Sequence, residues 1–354
     1  MSSPVAGTRS GGRPLVTARG IQIALGLVWL LDGLFQFKSF MFTHSIVTEV
    51  FDPAMHGQPS FIGDSMRTFD DFYGRDLTLW NSLSGEIQVA IGLGLMCGKR
   101  LVKPALAVSF AWAIFVWWFG EGFGGLTSNT LPAPLMGAPG AVILYAIVGL
   151  LVWPTEKTEG RSPAALGPLG DRGGLYLWSG LWAISAGLWL ANVNRAKEAT
   201  HGMIVEMAEA SPHWLARIQD SLAKHTVGHG STIAVVLAVV SLAVAIGVWT
   251  PLRWPALAVG IVLSLAYWLY GQDLGGPFWA ESATDVNAGP LFVLLAVGLF
   301  PVVQFAPCAR RERATDSARE ETPQVSGAAA ISTVLLKLIK RSAPRGERRE
   351  PRVG

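Results

Sequence analysis

Two stretches of this chain repeat each other. Residues 103–125 read KPALAVSFAWAIFVWWFGEGFGG and residues 254–276 read WPALAVGIVLSLAYWLYGQDLGG, and they align without a gap. Pro104 falls on Pro255, Gly120 on Gly271, and Gly124 and Gly125 fall on Gly275 and Gly276. Each stretch is an apolar run of about twenty residues, the length that crosses a hydrocarbon core of roughly 30 Å. Each then ends in a glycine-rich turn carrying an acid or an amide. Such a chain is a tandem duplication of one membrane module, and its polar turns are the places to look for function.

Composition agrees. Of the 354 residues 51% are hydrophobic and only 15% charged, with 14 Trp. A soluble domain carries about 25% charge. Apolar runs fall at about 20–40, 79–97, 102–119, 138–154, 174–193, 231–249, 254–271 and 288–305. They lack strand alternation, and in lipid a segment must satisfy its own backbone hydrogen bonds, so they read as helices. The expected fold is therefore an all-α membrane protein of eight transmembrane helices, arranged as two parallel four-helix repeats. Residues 1–18 form a cytoplasmic arm, 19–154 repeat one, 155–173 a cytoplasmic linker, 174–306 repeat two and 307–354 a basic cytoplasmic tail. Gly26–Phe37 resembles Gly180–Ala191, which extends the duplication to the first span of each half. The long segments 41–78 and 194–230 read as short interfacial helices interrupted by Pro53 and Pro212. In the tail, Ala328–Arg341 reads either as a basic amphipathic helix on the anionic inner leaflet or as a solvated tail.

Basic residues of short loops set orientation. Lys99, Arg100, Lys103, Lys157, Arg161, Arg172, Arg253, Arg310, Arg311 and Arg313 fall on one side, with Arg9, Arg13 and Arg19. No Lys or Arg lies between Gly120 and Val152 or between Gly271 and Pro307. Both termini are expected in the cytoplasm, with the glycine-rich turns facing outward across the plasma membrane. Cys97 and Cys308 sit at or near the cytoplasmic ends of spans, where a disulfide is not expected. No C-x-x-C pair exists, which argues against a thiol relay or a cluster-binding site.

Ionisable residues inside spans mark function by default. Asp32 sits near the middle of span one, Lys38 near its outer end, and Glu86 in span two. Repeat two has Ala186 and Leu237 at the positions of Asp32 and Glu86, so these acids are private to repeat one. Glu121 stands in the turn Gly120–Gly125, where glycines allow close backbone approach. Its counterparts in the second turn are Gln272 and Asp273. Two readings of these acids stand open: buried packing groups with a helix cap, or proton and cation handling. The turns lack GK[ST] and carry acids, so they do not bind phosphate. Eight tryptophans lie at or near span ends, as an interfacial belt requires. Trp117, Trp118 and Phe123 lie beside the first turn and are candidates to line a quinone cleft. All six His and five Met lie in the two long outer segments. His225 and His229 have the spacing of one helix face, and imidazole with thioether suits copper. No dense metal motif appears, and no metal site is assigned.

The stretches LWNSLSGEIQVAIGLGLMCGKRLVKPALA (79–107), WWFGEGFGG (117–125) and GAPGAVILYAIVGLLVWP (137–154) resemble the DoxX/DoxD-like family of small bacterial membrane proteins. The resemblance covers residues 17–306 as two fused four-helix units. It implies the bacterial inner membrane and a component of a quinone-linked redox system tied to sulfur-compound oxidation. Quinone is then the expected cofactor, entering near Trp117, Trp118 and Phe123, with Glu121 or Glu86 handling protons and Asp32 polarising the site from below. A protein partner would supply the redox centres, since no electron carrier is encoded. The bilayer is the other expected partner, and nucleic acid is not one. Two alternatives are a non-enzymatic scaffold subunit of a larger complex and a cation or small-solute pathway between the repeats.

Overall fold

The computed structural model describes residues 16–157, 160, 162–276 and 278–300. The tail, Cys308, Ala328–Arg341, Arg161 and nearly all of the arm lie outside the described residues.

Among the described residues the chain is all-α, without strands. In order the helices are α1 (Ala18–Phe35), α2 (Ser60–Tyr73), α3 (Leu77–Met96), α4 (Lys99–Phe119), α5 (Ala141–Leu151), α6 (Gly170–Trp189), α7 (Ala199–Ala210), α8 (His213–Thr226), α9 (Gly230–Gly247), α10 (Arg253–Gly271) and α11 (Ala288–Leu299). A helix stands at each of the eight apolar runs. Only four of them, α1, α4, α9 and α10, are long and apolar enough to cross a membrane, which corrects the expectation of eight. The reasons are physical. At about 1.5 Å per residue, α5 and α11 reach only about 16 and 18 Å. α5 starts late because Gly140 enters it with φ +103°, and Pro154 stands just beyond its end. α3 and α6 are each 20 residues long. Asn81, Glu86 and Gln88 dilute the first, and Asp171 and Arg172 the second.

The two halves pack by the same plan. In the first, α1 lies against α3, α3 against α4 and α4 against α5; in the second, α6 lies against α9, α9 against α10 and α10 against α11. The short helices α5 and α11 pack on each other between the halves. Thr17 caps α1, its Oγ1 accepting from Gly20 N at 2.9 Å, and Asp76 caps α3 through Leu79 N at 3.0 Å. α1 and α3 touch backbone to backbone. A Cβ on Gly92 would stand 2.7 Å from Leu30 N, so small residues set that crossing. Between the halves lies an apolar core that includes Ile21, Leu25, Leu95, Leu106, Leu151, Leu291 and Leu295, each no more than 2% exposed.

Hydrogen bonds sort the two ends of the bundle. At one end Arg19 donates to Leu95 O and Met96 O at 2.7 and 2.8 Å. There too Arg253 holds Asp171 by two bonds of 2.8 Å and also reaches Leu299 O. Lys99 and Arg100 follow Met96 at the same end. The glycine-rich turns stand at the other.

The outer segments differ in detail from the sequence reading. Pro53 does not break a helix; it lies in a single helical turn, Asp52–Met55, that continues the π-turn Val47–Phe51. Pro212 does interrupt its segment, standing between the end of α7 at Ala210 and the start of α8 at His213. His225 is in the last turn of α8, whereas His229 precedes α9, so the pair does not share one helix face.

Candidate functional site

The first turn has an unusual backbone. Gly122, Phe123, Gly124 and Gly125 take φ values of +51°, +57°, +59° and +70°. Asp273, Leu274, Gly275 and Gly276 take +49°, +51°, +78° and +59°. Each turn is thus four consecutive left-handed residues, a conformation costing about 1–2 kcal/mol for every residue that carries a Cβ. Phe123, Asp273 and Leu274 bear that cost. Surrounding contacts are matched as well. Trp117 Nε1 donates to Pro139 O at 2.9 Å, and Trp268 Nε1 to Val286 O at 2.9 Å. Glu121 Oε1 accepts from Val142 N at 3.0 Å, and Gln272 Oε1 from Gly289 N at 3.1 Å. So both turns send a side-chain oxygen to the N-terminus of the next helix, α5 or α11, where unpaired N–H groups and a positive dipole end receive it.

At the second oxygen the halves part company. Gln272 Nε2 donates to Leu135 O at 3.3 Å, which satisfies the amide. Asp273 accepts from Ser211 Oγ and from Trp279 Nε1. Glu121 as a residue is half-buried, but its Oε2 lies out of solvent without any hydrogen-bond partner. A buried orphan acceptor costs about 1–3 kcal/mol and calls for an explanation.

Three groups gather around it. Asp285, in the loop before α11, acts electrostatically on Glu121; its Oδ1 accepts from Asn287 N at 2.5 Å and its Oδ2 from Thr284 Oγ1 at 3.1 Å. Asp32, 2% exposed, accepts from the Tyr145 hydroxyl at Oδ2 and from Val286 N at 3.2 Å at Oδ1. Tyr145 in turn packs on Trp29 with ring centroids 4.4 Å apart. Burial, helped by the charge of Asp285 and opposed by the α5 N–H groups, pushes the Glu121 carboxyl up to about 8. Burial also raises Asp285, against the pull of its own hydrogen bonds. Both carboxyls therefore hold protons at pH values where ordinary acids do not.

The second half delivers Asp285 because α1 holds its loop. Past Phe35 the chain leaves the helix. Gln36 Nε2 then donates to Thr284 O at 3.3 Å, and Lys38 Nζ donates to Ala280 O at 2.7 Å and Ala283 O at 3.3 Å. Lys38 also rests over the Phe35 ring, 4.6 Å from its centre. Asp32 consequently lies in the last turn of α1 and not at mid-span.

Two cavities meet at this group. One, about 130 Å³, is lined by aromatic side chains of α2 and α4, with Phe69, Tyr73, Trp112, Phe115 and Phe119 on its walls and Glu121 and Asp285 at its polar end. Trp112 Nε1 is buried there without an acceptor. The other, about 370 Å³, is of mixed lining and is the more polar of the two; Gln58, Ser128, Thr130 and Asn287 stand among Pro53, Pro132 and Met136, again with Glu121 and Asp285.

Of the residues singled out from sequence, Asp32 and Glu121 share two neighbours, Tyr145 and Asp285. Glu86 does not join them: it lies exposed on α3 within an apolar stripe that includes Leu79, Leu83 and Leu93. Trp117, Trp118 and Phe123 form a ring cluster beside the turn, with Trp118 Nε1 donating to Ser65 Oγ at 2.9 Å. The aromatic cavity takes its walls instead from Phe115, Val116 and Phe119 on the same helix. Tyr145, Asp285 and Trp112 are additions. Tyr145 is the one hydroxyl in the run 138–152, a signal open to a sequence reader; Asp285 lies 253 positions from Asp32 and has no such signal. Among the described residues no group of three or more His, Cys, Asp and Glu has metal-binding geometry. No family model, no curated protein and no solved structure matches the chain.

Proposed function

We propose that the protein is a quinone-binding membrane component of a redox system, its ring site being the aromatic cavity of the first half. The observation carrying this reading is the pair of buried groups left without partners, Trp112 Nε1 and Glu121 Oε2, on one aromatic cavity. One is a donor and the other an acceptor. A ring bearing two oxygens meets both: one accepts from the indole, and the other accepts from the Glu121 carboxylic acid as a carbonyl or donates to its carboxylate as a hydroxyl. The volume of about 130 Å³ is of the order of the roughly 150 Å³ cavity that takes benzene. A carboxyl poised near 8 also matches an acid–base group working close to neutral pH.

The wider reading goes with it. The chain sits in the inner membrane on its four long apolar helices, α1, α4, α9 and α10, with the end bearing Arg19, Lys99 and Arg253 in the cytoplasm. The link to the DoxX/DoxD-like proteins and to sulfur-compound oxidation rests on the sequence resemblance. Electrons pass to a centre on a protein partner. Glu86 supports such a partner, because an acid on an exposed apolar stripe calls for a donor or cation from a neighbouring membrane helix.

Titration of the detergent-purified chain with a short-chain quinone tests the reading through tryptophan quenching. Saturable quenching is expected. Trp112→Phe should weaken binding about tenfold, the worth of one hydrogen bond to a buried donor. Absence of saturable quenching, or of any effect of Trp112→Phe, would refute it.

A further inference from the structure

We infer that Glu121 and Asp285 are a proton gate between the two cavities, and that a proton leaving a ring-borne hydroxyl is released only through the polar cavity. The inference rests on the ring-site reading above. Both carboxyl groups line both cavities. The polar one, about 370 Å³, has room for on the order of ten waters at roughly 30 Å³ each. Gln58, Ser128, Thr130 and Asn287 supply the donors and acceptors that an ordered water chain needs, and no Lys or Arg lies on its walls to repel a proton.

The opposite direction is closed. Asp32 has both oxygens engaged, by Tyr145 and by Val286 N. Beneath it stand Trp29, Leu25 and Ile21, each no more than 2% exposed, on the apolar core shared by the halves. The polar pair beside them, the Trp29 indole and the Ser109 hydroxyl, is closed on itself at 3.0 Å and includes no carboxyl to take a proton onward. The groups facing Glu121 that titrate or carry charge are Asp285, Tyr145 on α5, His56 across the polar cavity and Tyr73 across the aromatic one, with Asp32 held on Tyr145.

The step is one of acid and base alone. The hydroxyl O–H bond breaks and its proton binds Glu121 Oε2, turning carboxylate into carboxylic acid. That acid O–H then passes the proton to water in the polar cavity, and the carboxylate returns. The second half cannot do this, since Gln272 in its turn neither titrates nor has a free atom.

Carbodiimides, which attack protonated carboxyls, separate the two faces of the gate. Full-length protein in liposomes is treated with water-soluble EDC plus glycine ethyl ester, or with apolar dicyclohexylcarbodiimide, and the Glu121 peptide is read by mass spectrometry. EDC is expected to label Glu121, at a rate that falls as pH rises through about 8. Thr130→Leu, which fills the polar cavity, should slow EDC at least tenfold and leave the apolar reagent unaffected. A short-chain quinone should block the apolar reagent and spare EDC. Absence of EDC label at Glu121, or EDC labelling indifferent to Thr130→Leu, overturns the gate. A quinone that protects from neither reagent defeats the ring-site reading and leaves the EDC result standing on its own.

Discussion

Replacing Glu121 by Gln should remove a pH-dependent weakness from the fold. The folded carboxyl sits near 8, against an ordinary 4.5, because burial and Asp285 disfavour its charge. A carboxyl raised in the folded state makes its full contribution below about 4.5. It loses that contribution as pH climbs to about 8 and is flat beyond. At roughly 1.36 kcal/mol per pH unit, the loss between pH 5 and pH 7 is about 2.5 kcal/mol. Gln does not titrate, and Gln272 shows that an amide oxygen serves as the α11 cap that Glu121 supplies to α5. The variant should therefore fold, and its stability relative to wild type should grow by about 2.5 kcal/mol from pH 5 to pH 7. At about 2 °C per kcal/mol for a chain of this size, the relative melting temperature moves by about 5 °C. Taking the difference between the two proteins cancels other raised acids, such as Asp70, which burial and the neighbouring Asp52 and Asp71 push to about 7. The assay is a thermal melt in mild detergent at half-unit pH steps. A stability difference independent of pH would show that Glu121 is ionised at no cost, and the reasoning about its orphan oxygen would fail.

Three further expectations follow from the same structure. Gly124→Val should unfold the first turn: its Cβ would stand 1.8 Å from Pro139 O and its backbone requires φ +59°, so a loss above about 3 kcal/mol is expected in thermal melts. Lys38→Met should free the loop 280–286, visible as hydrogen exchange rising at least tenfold at Thr284–Val286 while α11 stays protected. A reporter fused after Lys157 should be cytoplasmic and one inserted near Thr130 external; the reverse pattern would overturn the orientation drawn from the basic end of the bundle.

Much of the fold was open to a sequence reader. Apolar runs located the helices, and the duplication found the two turns, because a left-handed turn needs glycine at matched places in both copies. Span number was not legible in the same way. The run 138–154 looks long enough to cross, yet Ala138, Pro139 and Gly140 belong to the loop, α5 begins only at Ala141 and ends at Leu151, and α11 ends at Leu299. Composition registers transfer to lipid, not where a helix starts. The site was half legible. Asp32 and Glu121 stand out as acids in apolar surroundings. Glu86 stands out equally and faces outward, since periodicity along α3 does not say which face meets α1. Asp285 is carried in from the far half by contacts with Gln36 and Lys38 that nothing local announces.

Those contacts limit what the molecule can do. A carrier must visit a state in which its halves part and the site changes sides. Parting here would strip Lys38 of two carbonyls, Gln36 of a third and Asp32 of the Val286 N–H. Exchanging four hydrogen bonds for water costs about 1 kcal/mol each, about 4 kcal/mol together. On the order of one molecule in a thousand would stand open at a time. Lys38 thus works as a latch, fastening the loop before α11 to the end of α1.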